Sequence, residues 1–449
     1  MRSILPKNLL QLANACPAPL YVVGGSVRDF LANLTPINSK RDFDVCAPLS
    51  ADEFVEIAKN NGFSIRAVYK NTGTVKFQDQ AENDYEYSAF RSDKYVRGIH
   101  APVEISFTTD ITLDACRRDF TCNAVYYDIK QGEYVDPLQG IPAIQEKRLT
   151  TVASAKKVFG EDGLRLMRLA RQSAQLGFTP DNDCLQGATE NSALIKDITP
   201  ERIFTELCAI LFADKKYGIA NGHYHGVKLL EQTGVLAHIL PELTLGKNLL
   251  QRPDFHKYDV LEHSLRALLY ADERVRFSAL LHDVGKPFCM QRDNHVHEHP
   301  EEGERLTREI LTRLKAPKKL VDHTTLLVKW HMYDFNCQTK ETKLRRFFVE
   351  HYELLQDLFL LKQADFSACT DDLSVAPTCQ RWNTLLEKMR EENTPFTRKS
   401  LAVSGKDLLS LGIPAPAVSQ TLNRLLLHVA VHPKENTKER LSKLAFTLK

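Results

Sequence analysis

No apolar run in the sequence approaches the roughly 20 residues needed to span a bilayer, so a helical membrane anchor and a membrane partner are excluded. The ten cysteines are scattered and none forms a Cys-x-x-Cys pair. Nothing near Met1 has the apolar core of a signal peptide, so a reduced, soluble, cytoplasmic protein is expected. An excess of one charge sign is missing too. A formal net charge of +2 means that any nucleic-acid binding must come from local patches and not from a basic protein as a whole. What is present is length and apolar content. The 449 residues exceed what one hydrophobic core supports, and 43% hydrophobic residues suffice for the three or four domains that this length predicts.

The stretch from Phe159 to Arg171, FGEDGLRLMRLAR, carries the densest pattern. Read as a helix, it sets Asp162, Arg165, Arg168 and Arg171 at i, i+3 steps along one stripe, while Leu164, Leu166, Met167 and Leu169 face inward. A carboxylate beside a guanidinium presents an acceptor next to a rigid donor fork. That pair suits a ring edge with an exocyclic amino group beside a bare ring nitrogen, as in cytosine and adenine but not uracil or guanine. The alternative is a solvated face whose ion pair contributes only about 0.2–0.5 kcal/mol.

Toward the N-terminus, Leu20 to Val23 reads as a short apolar strand that stops at Gly24-Gly25, with Ser26 as a possible N-cap of the next helix. Paired glycines let backbone N–H groups approach an anion at a helix N-terminus, where the dipole also favours negative charge. The following strand carries Asp42-Phe43-Asp44, whose carboxylates project to one face. At 4 Å and an effective dielectric near 20 they repel by about 4 kcal/mol, which a divalent cation relieves. Mg²⁺ bound by carboxylates and substrate phosphates is the usual solution in nucleotidyl transfer. Tyr85 to Arg91 alternates like a neighbouring strand and offers Glu86 as a third acid for the same face. Ser92 to Ala115 is polar and poorly periodic, and Asp93 to His100 reads as a mobile loop.

The combination of Gly24-Gly25-Ser26-Val27-Arg28-Asp29, Asp42-Phe43-Asp44, Arg117-Arg118-Asp119-Phe120-Thr121-Cys122-Asn123-Ala124 and Glu161-Asp162-Gly163-Leu164-Arg165 resembles the class II tRNA nucleotidyltransferase and bacterial poly(A) polymerase family. The resemblance implies an α/β nucleotidyltransferase head, a mixed sheet with helices, followed by an all-α neck. It implies that Asp42, Asp44 and Glu86 form the catalytic Mg²⁺ site and that Gly24, Gly25 and Arg28 contact the triphosphate. Arg118, Asp119 and Asn123 then fall to the nucleotide and its ribose. Asp162, Arg165, Arg168 and Arg171 fall to nucleotide binding, with the Glu-Asp-x-x-Arg element as the protein's own base template. In the neck, Thr199 reads as an N-cap before Pro200, and Glu201, Arg202 and Glu206 match a bracing motif.

A second chemical region begins at His263, continues through Leu280-Leu281-His282-Asp283-Val284-Gly285-Lys286-Pro287, and is followed by His299, His331 and Asp365. It resembles an HD phosphohydrolase domain, which implies that these side chains converge on metal. Mixed imidazole and carboxylate ligands suit Mn²⁺, Fe²⁺, Ni²⁺ or Zn²⁺ better than Mg²⁺, and two extra histidines allow a dinuclear centre. Which of His295, His297 and His299 is the ligand stays open. The tail resembles the C-terminal segment of nucleotidyltransferases with an internal HD domain.

The expected division is a catalytic head over 1–150, a helical neck over 151–252, an HD domain over 253–380 and a helical tail over 381–449. The activity implied is template-free addition of CCA, from CTP and ATP, to the 3′ end of tRNA, with a possible HD phosphohydrolase activity beside it. A poly(A) polymerase, an enzyme adding only CC or only A, and an HD phosphohydrolase whose head merely binds RNA remain as alternatives.

Overall fold

The computed structural model describes residues 1–37, 43–95 and 102–447, which fall into two compact units, Met1–Thr244 and Leu245–Lys449. The first unit opens with strands β1 (Tyr21–Val23), β2 (Phe43–Ala47), β3 (Ser64–Tyr69), β4 (Thr74–Gln78), β5 (Asp84–Ala89), β6 (Arg91–Lys94), β7 (Glu104–Phe107), β8 (Tyr126–Asp128) and β9 (Tyr134–Val135). Among the described residues, seven of these form one mixed sheet in the order β3-β4-β5-β2-β1-β8-β9. β2 and β5 run parallel and β1 lies antiparallel to β2. The sheet alternates as half-buried strands should: on β5, Tyr85, Tyr87 and Ala89 are buried while Glu86 is exposed. Tyr87 stacks on Phe54 at a centroid distance of 3.8 Å, which fastens helix Ala51–Asn60 to the sheet. That helix starts in a capping box of Ser50 and Glu53.

Two local expectations are corrected. The segment after β5 is not all loop: β6 and β7 pair as an antiparallel ribbon, with an ion pair between Arg91 and Asp93 at 2.9 Å. With charged and polar residues on both faces the ribbon has no apolar alternation, so its sequence reads as coil; of the expected loop, Val96 to His100 lies outside the described residues. The helix after β1 spans Gly25–Leu31 and its N-cap is Gly24, not Ser26. Gly24 has φ 79° and ψ −139°, a region that L side chains rarely adopt, so it is the glycine that lets the chain turn there.

Beyond the sheet the unit is helical, including Ala155–Glu161, Leu164–Leu176 and Pro200–Leu211, the last with Thr199 at the N-cap position and Pro200 first. The arginine stretch is not one helix. It breaks at Asp162-Gly163, where Asp162 is extended (φ −147°, ψ 110°). A Cβ on Gly163 would stand 2.5 Å from the Leu194 carbonyl oxygen, so tight tertiary packing keeps glycine at the break.

The second unit is built of helices, among them Val260–Tyr270, Arg276–Leu281, His299–Arg313, Lys318–Trp330 and Tyr352–Thr370. Trp382, Phe348, Leu358 and Leu361 are fully buried in its core, each worth about 1.5–3 kcal/mol or more when removed from water. The Trp382 indole N–H donates to Asp334 at 2.9 Å, which satisfies the one polar atom that this core buries on the ring. Gly285 brings two of the helices together: a Cβ there would come within 2.3 Å of the His299 carbonyl oxygen.

Candidate functional site

In the first unit, register places the acids. Asp44 on β2 lies opposite Val23 on β1 and opposite Glu86 on β5, and both acidic side chains are exposed. Glu86 also stands 3.9 Å from Lys76. The Gly24 turn approaches the same place, since a Cβ on Gly24 would be 3.5 Å from Asp44 Oδ2 and 4.0 Å from an Arg118 nitrogen. Asp42 lies outside the described residues. Ser26 Oγ, Thr121 Oγ1 and Arg168 Nε are among the buried polar atoms of this unit without a hydrogen-bond partner among the described residues. Donors left so fit a polyanionic ligand.

A buried network links the remaining predicted residues. Arg28 donates to Asn123 Oδ1 at 2.7 Å and to Gln172 Oε1 at 3.4 Å, and pairs with Asp29 at 2.6 Å. Asn123 donates to Asp119 at 2.9 Å, and Asp119 takes Arg168 at 2.7 Å and the Gln172 amide at 3.3 Å. Burial alone would raise the Asp119 carboxyl, but Arg168, Asn123 and the Phe120 N–H outweigh it and hold it down at about 2. Asp119 is therefore an anion at any working pH. Arg117 and Arg118 are fixed from behind by Asp114, fully buried, which accepts from them at 2.7 and 3.0 Å and from the Tyr126 hydroxyl at 2.7 Å.

The four-residue stripe does not form as the sequence suggested. Asp162 caps the start of the next helix by accepting from the Leu164 N–H at 2.9 Å. Arg165 is buried, donating to the Val158 carbonyl at 3.0 Å, the Arg117 carbonyl at 2.9 Å and Glu161 at 2.9 Å, with the Tyr95 ring 5.3 Å away. Arg168 turns to Asp119, and Arg171 pairs with Glu206 at 2.7 Å. The break at Gly163 takes Asp162 off the stripe, and the tertiary partners Arg117, Asp119 and Glu206 draw the three arginines apart. Asp114, Tyr126 and Gln172 were missed by sequence reasoning, although Asp114 precedes Arg117 and Arg118 by three and four positions, a helical ion-pair spacing.

In the second unit all six predicted residues converge. His263 Nε2 lies 3.1 Å from His282 Nε2, 3.0 Å from Asp365 and 3.4 Å from Asp283. His282 is 3.3 Å from Asp283 and 3.4 Å from Asp365. His299 Nε2 is 3.2 Å from His331 Nε2 and 3.3 Å from the other Asp283 oxygen. His295 and His297 are exposed, and His299 is the one that enters the cluster.

Three of the histidines sit at helix ends and face the nitrogen Nδ1 to a carbonyl three residues back: His282 to Ala279 at 2.8 Å, His299 to Val296 at 2.6 Å and His331 to Val328 at 2.6 Å. That contact fixes Nδ1–H as donor and aims bare Nε2 inward. Asp283 Oδ1 is buried without a hydrogen-bond partner among the described residues. Burial opposes a charge on His282, yet Asp283 and Asp365 push its pKa up to about 10. Two carboxylates and four imidazoles gathered in one buried place offer donors that fit one or two metal ions. Lys286 donates to Asp283 at 2.6 Å and to Gln251 at 2.7 Å, closing one side.

The description "Poly A polymerase head domain" matches residues 20–150, "Probable RNA and SrmB- binding site of polymerase A" matches 177–245, and "HD domain" matches 259–351. The chain is 34% identical over 334 residues to an A-adding tRNA nucleotidyltransferase of Deinococcus radiodurans, covering 70% of this chain and 74% of that one. It is 27% identical over 445 residues to a CCA-adding enzyme of Anoxybacillus flavithermus, covering 95% and 92%. The crystal structure of the Bacillus stearothermophilus CCA-adding enzyme in complex with CTP shares the fold, with a TM-score of 0.65 at 24% identity over 98% of this chain and 96% of that one. With its sheet, its Gly-Gly turn beside an acidic strand and its HD cluster, the chain belongs to the tRNA nucleotidyltransferase and poly(A) polymerase family.

Proposed function

We propose that this enzyme adds CCA to the 3′ end of tRNA from CTP and ATP, without a nucleic-acid template, in the cytoplasm. The observation that carries the reading is the juxtaposition of Asp44, Glu86 and the Gly24 turn on adjacent strands. Nucleotidyl transfer in this family depends on a divalent metal; Mg²⁺ held by Asp42, Asp44 and Glu86 would neutralise charge on the attacking 3′-oxygen and the pyrophosphate leaving group. The chain's own residues then position the nucleotide. Backbone N–H groups at Gly24-Gly25 and the Arg28 and Arg118 guanidiniums bind the triphosphate, and Asp119 with Asn123 orients the ribose. Asp162 and Arg165 read the base, with Arg168 and Arg171 completing the wall. Release of Arg165 from its present carbonyl partners accompanies that reading. RNA is held chiefly through phosphates and 2′-hydroxyls. Ten cysteines without a disulfide agree with a reducing compartment. No helix among the described residues is long and apolar enough to cross a membrane. A head over 1–150, a neck over 151–252, an HD domain over 253–380 and a tail over 381–449 divide the work, in keeping with matches at 20–150 and 259–351.

The test is Asp44→Ala in full-length protein supplied with Mg²⁺, CTP, ATP and tRNA lacking its CCA end. Incorporation is expected to fall by about 10³-fold or more, as when a charge-stabilising group of a transition state is lost. Activity within a few-fold of wild type ends the assignment of this strand to catalysis.

A second reading concerns the HD cluster, whose six converging side chains and partnerless Asp283 oxygen favour a separate metal-dependent phosphohydrolase. Mn²⁺, Ni²⁺, Fe²⁺ or Zn²⁺ bound by His263, His282, Asp283 and Asp365, with His299 and His331 at a second position, would supply an activated water. With 2′,3′-cyclic nucleotides and phosphate monoesters in the presence of Ni²⁺ or Mn²⁺, the wild type is expected to hydrolyse and His282→Ala/Asp283→Ala to fall to background. Equal, background-level turnover in both reduces the domain to a scaffold.

A further inference from the structure

His263 differs from its three partners in the HD cluster. Each of the other histidines anchors Nδ1 on a carbonyl three residues back. His263 sits inside helix Val260–Tyr270, where that carbonyl is already used by the helix, and its buried Nδ1 has no hydrogen-bond partner among the described residues. Metal-ligating histidines almost always place the outer ring nitrogen on an oxygen. What stands beside His263 instead is His256, its ring 4.9 Å away and perpendicular, with a buried Nδ1 that is likewise partnerless among the described residues. The third neighbour is Cys369, on helix Tyr352–Thr370 one turn beyond Asp365. Ligand atoms of His256, His263 and Cys369 all lie within 4.8 Å of one another.

The arrangement is built. The Lys257 N–H donates to the Cys369 carbonyl at 2.9 Å, and the His256 N–H donates to the Arg252 carbonyl at 3.0 Å. Two residues further along each chain segment, the Tyr258 hydroxyl donates to Asp371. The segment before the first HD helix is thereby held in register against the helix that carries Cys369.

We propose that His256, His263 and Cys369 form a further metal site, sharing His263 with the HD ligand set, that takes a thiophilic divalent ion of the Zn²⁺ class. Two imidazoles, one thiolate and an open fourth position match the donors and count that such ions accept. His263 contributes Nδ1 here while its Nε2 faces Asp365 and His282, so one imidazole ring joins this site to the HD centre. As the ion binds, the thiol gives up its proton to solvent and His263 keeps its one N–H on Nε2, where Asp365 at 3.0 Å accepts it; were Nε2 also to hold an HD metal ion, that second proton would leave to solvent too and the ring would bridge as imidazolate. In this placement the ion ties the segment around His256 to helix Tyr352–Thr370, and with it the position of the first HD ligand.

Co²⁺ is the probe, because thiolate ligation produces a near-ultraviolet charge-transfer band that imidazole and carboxylate ligands do not. Full-length apoprotein is titrated with Co²⁺ as wild type, Cys369→Ser, His256→Ala and Asp283→Ala, with far-ultraviolet circular dichroism as the control for folding. The wild type is expected to show the band and to bind one more equivalent than Cys369→Ser. The band is expected to vanish in Cys369→Ser, to weaken at least tenfold in affinity in His256→Ala, and to persist in Asp283→Ala. A wild type without the band, or a band unchanged in Cys369→Ser, overturns the proposal. If Cys369→Ser fails to fold, His256→Ala decides instead, because His256 lies on an irregular segment outside the helices; wild-type Co²⁺ affinity in that variant overturns the proposal equally.

Discussion

At the scale of single residues, the head is organised by buried charges that hold their neighbours in place. Asp114 and Asp119 each hold two or more donors, so Arg117, Arg118, Asn123 and Arg168 have fixed positions before any ligand arrives. Fixing a donor fork in advance lowers the entropy lost on binding. Asp162 is the residue whose role is most open to measurement. It is half-buried and caps a helix through the Leu164 N–H. If it also accepts from the amino group of cytosine or adenine, UTP presents a carbonyl to it and is rejected. Buried polar groups left unpaired reject a wrong substrate by about 10⁴ to 10⁵. Asp162→Ala is therefore expected to lose rate and to bring the CTP-to-UTP incorporation ratio down by at least tenfold. A ratio that stays at the wild-type value while rate falls would leave Asp162 with its capping role alone.

At the scale of elements, glycines decide where helices and strands meet. Gly24 allows the strand-to-helix turn to close on Asp44, and Gly163 separates two helices that the arginine pattern suggested were one. Gly285 and Gly303 bring the His282-Asp283 corner against the helix beginning at His299. An alanine at 285 meets backbone, the His299 carbonyl oxygen at 2.3 Å and the Gly303 nitrogen at 2.8 Å, whereas one at 303 meets first a Val328 methyl at 3.0 Å. Backbone cannot yield by rotating a side chain. Gly285→Ala is expected to cost about 1–3 kcal/mol and more than Gly303→Ala, read as shifts in the denaturant midpoint of the second unit. The reverse order would mean that the two helices are not held at this distance.

The strand acids and the HD residues were legible because their signals are local. Alternation with period 2 sets the faces of each strand, so once β2 and β5 pair in register Asp44 and Glu86 share one face, and the His282-Asp283 corner is an apolar helix ending in a polar pair. The break at Gly163, enforced by Leu194 far along the chain, and the orientation of Arg165, set by the carbonyls of Val158 and Arg117, were not legible. The β6–β7 ribbon was hidden for a different reason, having no apolar core face to impose a pattern on its sequence.

At the scale of the whole molecule, two compact units carry two different donor sets: a glycine turn beside strand carboxylates in Met1–Thr244, and an imidazole–carboxylate cluster in Leu245–Lys449. Oxygen donors of the first kind suit Mg²⁺, and nitrogen-rich donors of the second suit softer ions. Specificity is the central claim, because A-adding and CCA-adding relatives both resemble this chain. The direct measurement is to incubate the purified full-length protein with Mg²⁺, CTP, ATP and three transcripts of one tRNA, ending before CCA, after C and after CC, and to sequence the 3′ ends. The account predicts that all three become CCA and stop there. A product that stops at CC, extension confined to the transcript ending in CC, or a run of many A residues would contradict it.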